Sequence, residues 1–165
     1  MSYYLGLDLA TVQTGWAIAR VEQKKILEVK KGTITFSRSL SRSKRLKGLG
    51  ESIKDLVERY EVEPILIKEQ PLHDQSRRIS GTLFMAHGVV EFLFSNFEFE
   101  DVNPVEVKKF VTGYGHASKQ EVQKKVCEML NVPMEFGSLD ESDAMSILVK
   151  GLWNRSLVND FSLKR

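Results

Sequence analysis

Apolar positions along this chain fall into two kinds of run, short ones with a period near two and longer ones with helical spacing. "YYLGLDLA" (3–10) is short, apolar and rich in β-formers, and predicts a buried strand. "TGWAIARVE" (14–22) alternates after a Gly-containing turn and predicts its neighbour. "ILEVKKGTITF" (26–36) follows the polar "QKK" turn, so three strands with short connections form an antiparallel meander. Residues 41–60 place Leu46, Leu49, Ile53, Leu56 and Val57 on one helical stripe. "PILIKEQ" (64–70) is an apolar run ending in charge, the pattern of a central strand emerging at a sheet edge. "GTLFMAHGVVEFLFSNF" (81–97) predicts a helix with more apolar residues, among them Leu83, Phe84, Val90, Phe92 and Phe94, than one stripe needs. "FEFEDVN" (97–103) predicts the last strand.

Three helix starts follow, each a capping residue with Glu three positions on: Asn103 with Glu106, Ser118 with Glu121, and Ser138 with Glu141. Pro104 suits a first helical position. The order is βββαβαβααα, which predicts an α/β fold, a mixed sheet with helices on its faces. A length of 165 residues suits one domain, 1–165, with room for a core.

Composition narrows the class without naming a chemistry. The chain is 42% hydrophobic and 28% charged, as in ordinary soluble globular proteins. No run approaches the ~18 apolar residues of a membrane span, and the start lacks a charged-then-apolar signal pattern. The single Cys127 cannot close an internal disulfide, which fits a reducing cytoplasm, and it reads as a small core residue. The net charge of +2 hides clustering. "RSLSRSKRLK", from Arg38 to Lys47, carries five basic residues including Arg42 and Arg45 and no acid. Arg77 and Arg78 lie in "HDQSRRIS", and Lys108 and Lys109 in "VKKF". Such clusters suit a polyanionic partner, or solvated surfaces if they are scattered.

Acidic residues sit where they need explaining. Asp8 lies inside the first apolar strand, and a carboxylate is costly to bury there unless it is paired or binds a metal. Glu69 stands at the exit of the other apolar strand. "SLDESDAMSI" (138–147) sets Asp140 and Asp143 one turn apart at the start of the last helix, where like charges repel but the helix dipole favours an acid. Each has a structural reading alone, as a strand-end carboxylate or a helix-start acid. Taken jointly, adjacent first and fourth strands place Asp8 and Glu69 side by side, and a terminal helix crossing the sheet adds the other two. Four convergent carboxylates need cations, and hard oxygen ligands favour Mg²⁺ or Mn²⁺. Two ions about 4 Å apart form a clamp for in-line phosphoryl transfer.

"LGLDLATVQTGWAIA", "IKEQ", "VKKFVTGYGHASKQEVQ" and "DESDAMSI" together resemble the RuvC family of Holliday-junction resolvases, in order and at matching intervals from Tyr3 to about Trp153. The resemblance implies an RNase H-like sheet of five strands, three antiparallel and then two parallel. It also implies a homodimer and Mg²⁺-dependent paired incision across a four-way DNA junction, in a bacterial or phage-infected cell. Asp8, Glu69, Asp140 and Asp143 match the family's metal-binding acids. Lys108 and Lys119 fall where the family carries basic residues beside the scissile phosphate, and His116 lies nearby in "GYGHASK". One departure is Leu72, where members often carry an aromatic residue three positions after the second acid. With Arg77 and Arg78 beside it, this implies more phosphate contact, a weaker sequence preference, and activity on forks and other branches. The surplus apolar residues of helix 81–97 independently suggest a dimer interface. His73, His87 and His116 show no metal-ligand spacing.

Three rival readings remain. An RNase H-like nuclease that trims structured RNA shares the first strand and a late acid, but the "DESD" pair and "GYGHASK" favour the resolvase. A sugar-kinase-like ATP-binding fold would need a second Gly-rich phosphate hairpin and usually more than twice this length. A non-catalytic DNA-binding module gains nothing from carboxylates facing phosphate.

Overall fold

The computed structural model describes residues 1–71, 81–133, 137–161 and 163. Strands β1 (Ser2–Asp8), β2 (Gln13–Glu22) and β3 (Lys25–Thr35) are followed by α1 (Arg42–Arg59), β4 (Val62–Glu69), α2 (Gly81–Leu93) and β5 (Glu98–Val102). Helices α3 (Pro104–Thr112), α4 (Lys119–Leu130) and α5 (Leu139–Asn154) complete the chain. The sheet order is β3-β2-β1-β4-β5. β1, β2 and β3 pair antiparallel, whereas β4 lies parallel to β1 and β5 parallel to β4. The meander turns tightly at Gln23 and Lys24, both with positive φ, the geometry that matches strand twist in a two-residue hairpin.

Alternation along the strands divides the interior into two layers. Leu5, Leu7, Ile18 and Leu66 face α1 and α2, packing on Leu49, Ile53, Ala86 and Val90. Tyr4, Ala17, Ala19 and Ile67 face the other way, onto α3, α4 and α5. The layer against α5 is built for close approach. A Cβ on Gly6 would stand 2.6 Å from the Leu148 Cβ, and one on Gly15 would stand 2.0 Å from the Asp140 carbonyl oxygen. These glycines set α5 directly on the sheet. Ten of its residues are buried, from Glu141 to Leu152.

Two local expectations need correcting. The helix expected over 81–97 ends at Leu93, because Phe94 turns into the core and Phe97 packs edge-on against it, with ring centroids 5.2 Å apart. The cap at Ser118 forms reciprocally with Glu121, and Asn103 accepts from the N–H groups of Val105 and Glu106. At Ser138 no side-chain cap forms. Glu141 instead pairs with Lys31 of β3 at 2.9 Å and accepts from the Gly137 N–H at 3.0 Å, so a long-range ion pair displaces the local capping box. Among the described residues, no helix is long and apolar enough to cross a membrane.

Candidate active site

The site forms where β1 and β4 end. Leu7 is the register partner of Lys68, so the next residues, Asp8 and Glu69, leave adjacent strand ends. Both point to the α5 side, since Gly6 and Ile67, two residues earlier, already touch α5. Across the sheet edge, the first two turns of α5 bring in Asp140 and Asp143. Oxygens of Asp8, Asp140 and Asp143 all lie within 4.8 Å of one another. Glu69 stands outside that tight trio but lines the same cleft, about 700 Å³ in volume, with Asp8, Asp143, Lys108 and Lys119.

Burial and mutual repulsion mark these carboxyls. Asp8 is pushed up to about 8, first by loss of water and then by the charges of Glu69 and Asp143. Glu69 is raised too, by burial and then by Asp143, with Lys119 and Lys108 opposing the shift. Lys119 donates to Asp143 at 2.5 Å and stands 4.0 Å from Asp140. Burial alone would lower Lys119, but its bond to Asp143 and the surrounding acids leave it raised. Gln13 at the start of β2 donates to Asp140 at 2.7 Å. The like charges on one helical turn are therefore offset by an ammonium and an amide. Clustered carboxylate oxygens of this kind are hard ligands that suit a divalent cation.

The other predicted contacts scatter by distance from this centre. Lys108 lines the cleft, whereas Lys109 is exposed on α3 outside it. His116 is exposed and packs edge-on against Tyr114, ring centroids 5.6 Å apart. Arg42 and Arg45 begin α1 just past β3, whose last residue pairs with Gln13, so they leave the site end of the sheet two strands from Asp8. Arg42 is exposed, while the Arg45 guanidinium is committed to the carbonyls of Leu40 and Arg38. Leu72, His73, Arg77 and Arg78 lie outside the described residues.

Sequence reading missed Gln13, Gly15 and the placement of His87 in the cleft wall. A signal existed for the first two: Gln13, Gly15, Ala17 and Ala19 alternate along β2 as small or polar residues, the trace of a helix pressed on that face. For His87 there was none, because the cleft joins elements far apart in the chain.

The profile of the family described as Crossover junction endodeoxyribonuclease RuvC matches residues 4–150. The chain belongs to the RuvC family. RuvC from Dictyoglomus thermophilum is 26% identical over 153 residues, covering 92% of this chain and 96% of the relative. RuvC from Ruminiclostridium cellulolyticum is 28% identical over 149 residues, covering 88% of each. Among solved structures, Thermus thermophilus RuvC in complex with a Holliday junction substrate superposes with a TM-score of 0.79 at 18% identity, covering 94% of this chain and 96% of that one. The yeast mitochondrial Holliday junction resolvase superposes at 0.62 with 14% identity, covering 94% and 80%. At these identities the structural likeness speaks for the RNase H-like RuvC fold, and the family assignment rests on the profile.

Proposed function

We propose that this chain is a structure-selective DNA endonuclease that resolves Holliday junctions, and other branches such as forks, by paired symmetric nicks. The observation that carries the reading is the meeting of Asp8, Asp140 and Asp143 within 4.8 Å beside Glu69, in a cleft that also holds Lys108 and Lys119. Asp8, Glu69, Asp140 and Asp143 are the residues that would hold divalent ions, Mg²⁺ or in its place Mn²⁺, two per site. Such ions supply an activated water and neutralise charge on the leaving oxygen. Lys119 and Lys108 hold the scissile phosphate against the acids, and Lys119 exchanges its carboxylate partner for phosphate as DNA enters. The basic start of α1, with Arg42, and Lys109 and His116 on the opposite side contact flanking phosphates, which position the junction without reading sequence.

Supplied with Mg²⁺, the protein is expected to nick a four-way junction on two opposing strands and to leave linear duplex intact. Cutting of structured RNA with the junction untouched would move the assignment to an RNA-processing nuclease. Junction binding with no cutting would make it a binding module.

Paired nicks need two sites, and α2 carries the surface for them. Its buried side presents Ala86, His87 and Val90, while Phe92 is 80% exposed with Met85 and Leu93 beside it. Met85, Phe92 and Leu93 line a groove with Leu46 and Gly50 of α1, rimmed by Lys47, Glu51 and Lys54. An exposed apolar patch on a small domain marks an interface, and a two-fold axis here makes each residue count twice. The occupant is a second copy of the chain. Phe92→Asp is expected to weaken that dimer about a thousandfold, from about 2 kcal/mol lost on each side. Sedimentation should show a monomer, and residual cutting should be single nicks; a dimer of unchanged affinity would place the interface elsewhere.

A further inference from the structure

Asp140 and Asp143 are held by groups of different kinds. Asp143 accepts an ammonium, that of Lys119 at 2.5 Å, which also stands 4.0 Å from Asp140 Oδ1. Asp140 Oδ2 instead accepts the neutral Gln13 amide, Nε2, at 2.7 Å, and among the described residues no other side chain donates to it. An ammonium takes the place of a cation and has to move when a divalent ion enters. A neutral amide carries no charge to compete, so its bond to Asp140 can stay. The Asp140 carboxylate is thereby divided, with Oδ2 fastened to Gln13 and Oδ1 left toward Lys119.

The strand beneath Asp140 is built for this. Gln13 and Gly15 lie two residues apart, on the face of β2 that meets α5. A Cβ on Gly15 would collide with the Asp140 carbonyl, so Gly15 admits the Asp140 backbone while Gln13 takes its side chain. Gln13 stands on fixed ground. It pairs with Thr35 of β3, and the Val12 carbonyl before it accepts the Phe36 N–H at 2.8 Å. Thr14, fully buried, accepts the Ala10 N–H at 2.9 Å and donates to the Ala10 carbonyl at 2.6 Å. Local support for Asp140 is absent, since Ser138 makes no side-chain cap and Glu141 goes to Lys31. Ala10, Thr11 and Val12 line the cleft, whereas the Gln13 amide is committed to Asp140. Gln13 therefore acts through that acid and not on DNA.

We infer that Gln13 is a positioning residue for the divalent ion, its amide fixing the Asp140 carboxylate in one orientation before an ion enters and after. This rests on the reading of the four acids as metal ligands. A partner that orients a ligating carboxylate governs metal affinity, and its loss costs about ten- to a hundredfold.

The test follows thermal melts of the full-length protein, without DNA, across a Mg²⁺ titration, alongside Gln13→Met and Gln13→Asn. Met fills a similar length with no donor, and Asn keeps an amide that falls one methylene short. Both variants are expected to need about ten to a hundred times more Mg²⁺ for half of the full stabilisation. The Mg²⁺ concentration for half-maximal junction nicking should rise by the same factor, with the rate recovering at saturating Mg²⁺. A wild-type Mg²⁺ midpoint in Gln13→Met would overturn the inference whatever that variant's Tm in EDTA, because packing alone would then explain the residue. So would a slower rate that excess Mg²⁺ does not restore, in a variant whose midpoint is unchanged. A wild type that Mg²⁺ fails to stabilise refutes the metal reading itself and this inference with it, a result distinct from the other two.

Discussion

Asp143→Asn should lower junction nicking by roughly a thousandfold while leaving junction binding intact. Asp143 is central to the site: its oxygen belongs to the trio with Asp8 and Asp140, it accepts the Lys119 ammonium at 2.5 Å, and its charge raises both Asp8 and Glu69. An amide of the same shape removes one unit of negative charge and one hard oxygen ligand, and it leaves Lys119 without its carboxylate. Affinity for DNA comes mainly from Lys and Arg neutralising phosphates, and a carboxylate facing a phosphate opposes that attraction. Binding should therefore hold or tighten, and should still fall steeply as salt rises. Gel-shift titrations in EDTA and single-turnover cleavage in Mg²⁺ separate the two effects. A variant that cuts at the wild-type rate would remove Asp143 from the chemistry. One that folds but no longer binds would mean that the site serves affinity and not reaction.

Asp8→Asn should stabilise the metal-free protein at pH 8 and at the same time abolish its stabilisation by Mg²⁺. The carboxyl of Asp8 is raised from 3.8 to about 8, chiefly by burial and by Glu69. Between those two values the folded state keeps a proton that the unfolded state releases. Stability then falls as pH rises through the window, and the penalty vanishes below about 4. A third of the full shift is already about 2 kcal/mol, which in a chain of this size is roughly 5 °C in Tm. The amide carries no such penalty. Melts in EDTA should separate variant from wild type by that amount at pH 8 and converge near pH 4. Added Mg²⁺ should raise the wild type, because the cation removes the repulsion, and should leave the variant unmoved. A variant that melts below the wild type at pH 8 would mean that Asp8 makes a stabilising contact instead.

The acids that carry the site were conspicuous because they break local patterns. Asp8 interrupts an apolar strand, and Asp140 and Asp143 repel across one turn. What offsets that repulsion was not legible, because Gln13 and Lys119 reach the pair from 127 and 24 residues away in the chain. Glu141 shows the reverse error. Its spacing from Ser138 predicts a capping box, and Lys31, 110 residues distant, takes it instead. The sharp end of α2 at Leu93 likewise depends on Phe94 finding a core to enter.

Period-two and period-3.6 patterning determined the element order, the antiparallel meander and the placement of the acids at strand and helix ends, since these follow from which residues must leave water and how a backbone repeats. Only tertiary packing decided that β4 pairs with β1 and that Gly6 and Gly15 let α5 lie on the sheet. The same packing set Glu69 outside the tight trio and turned His87 into the cleft. Those outcomes depend on which distant surfaces fit at van der Waals contact, and contact between segments is a property of the folded shape, invisible to the period of either segment alone.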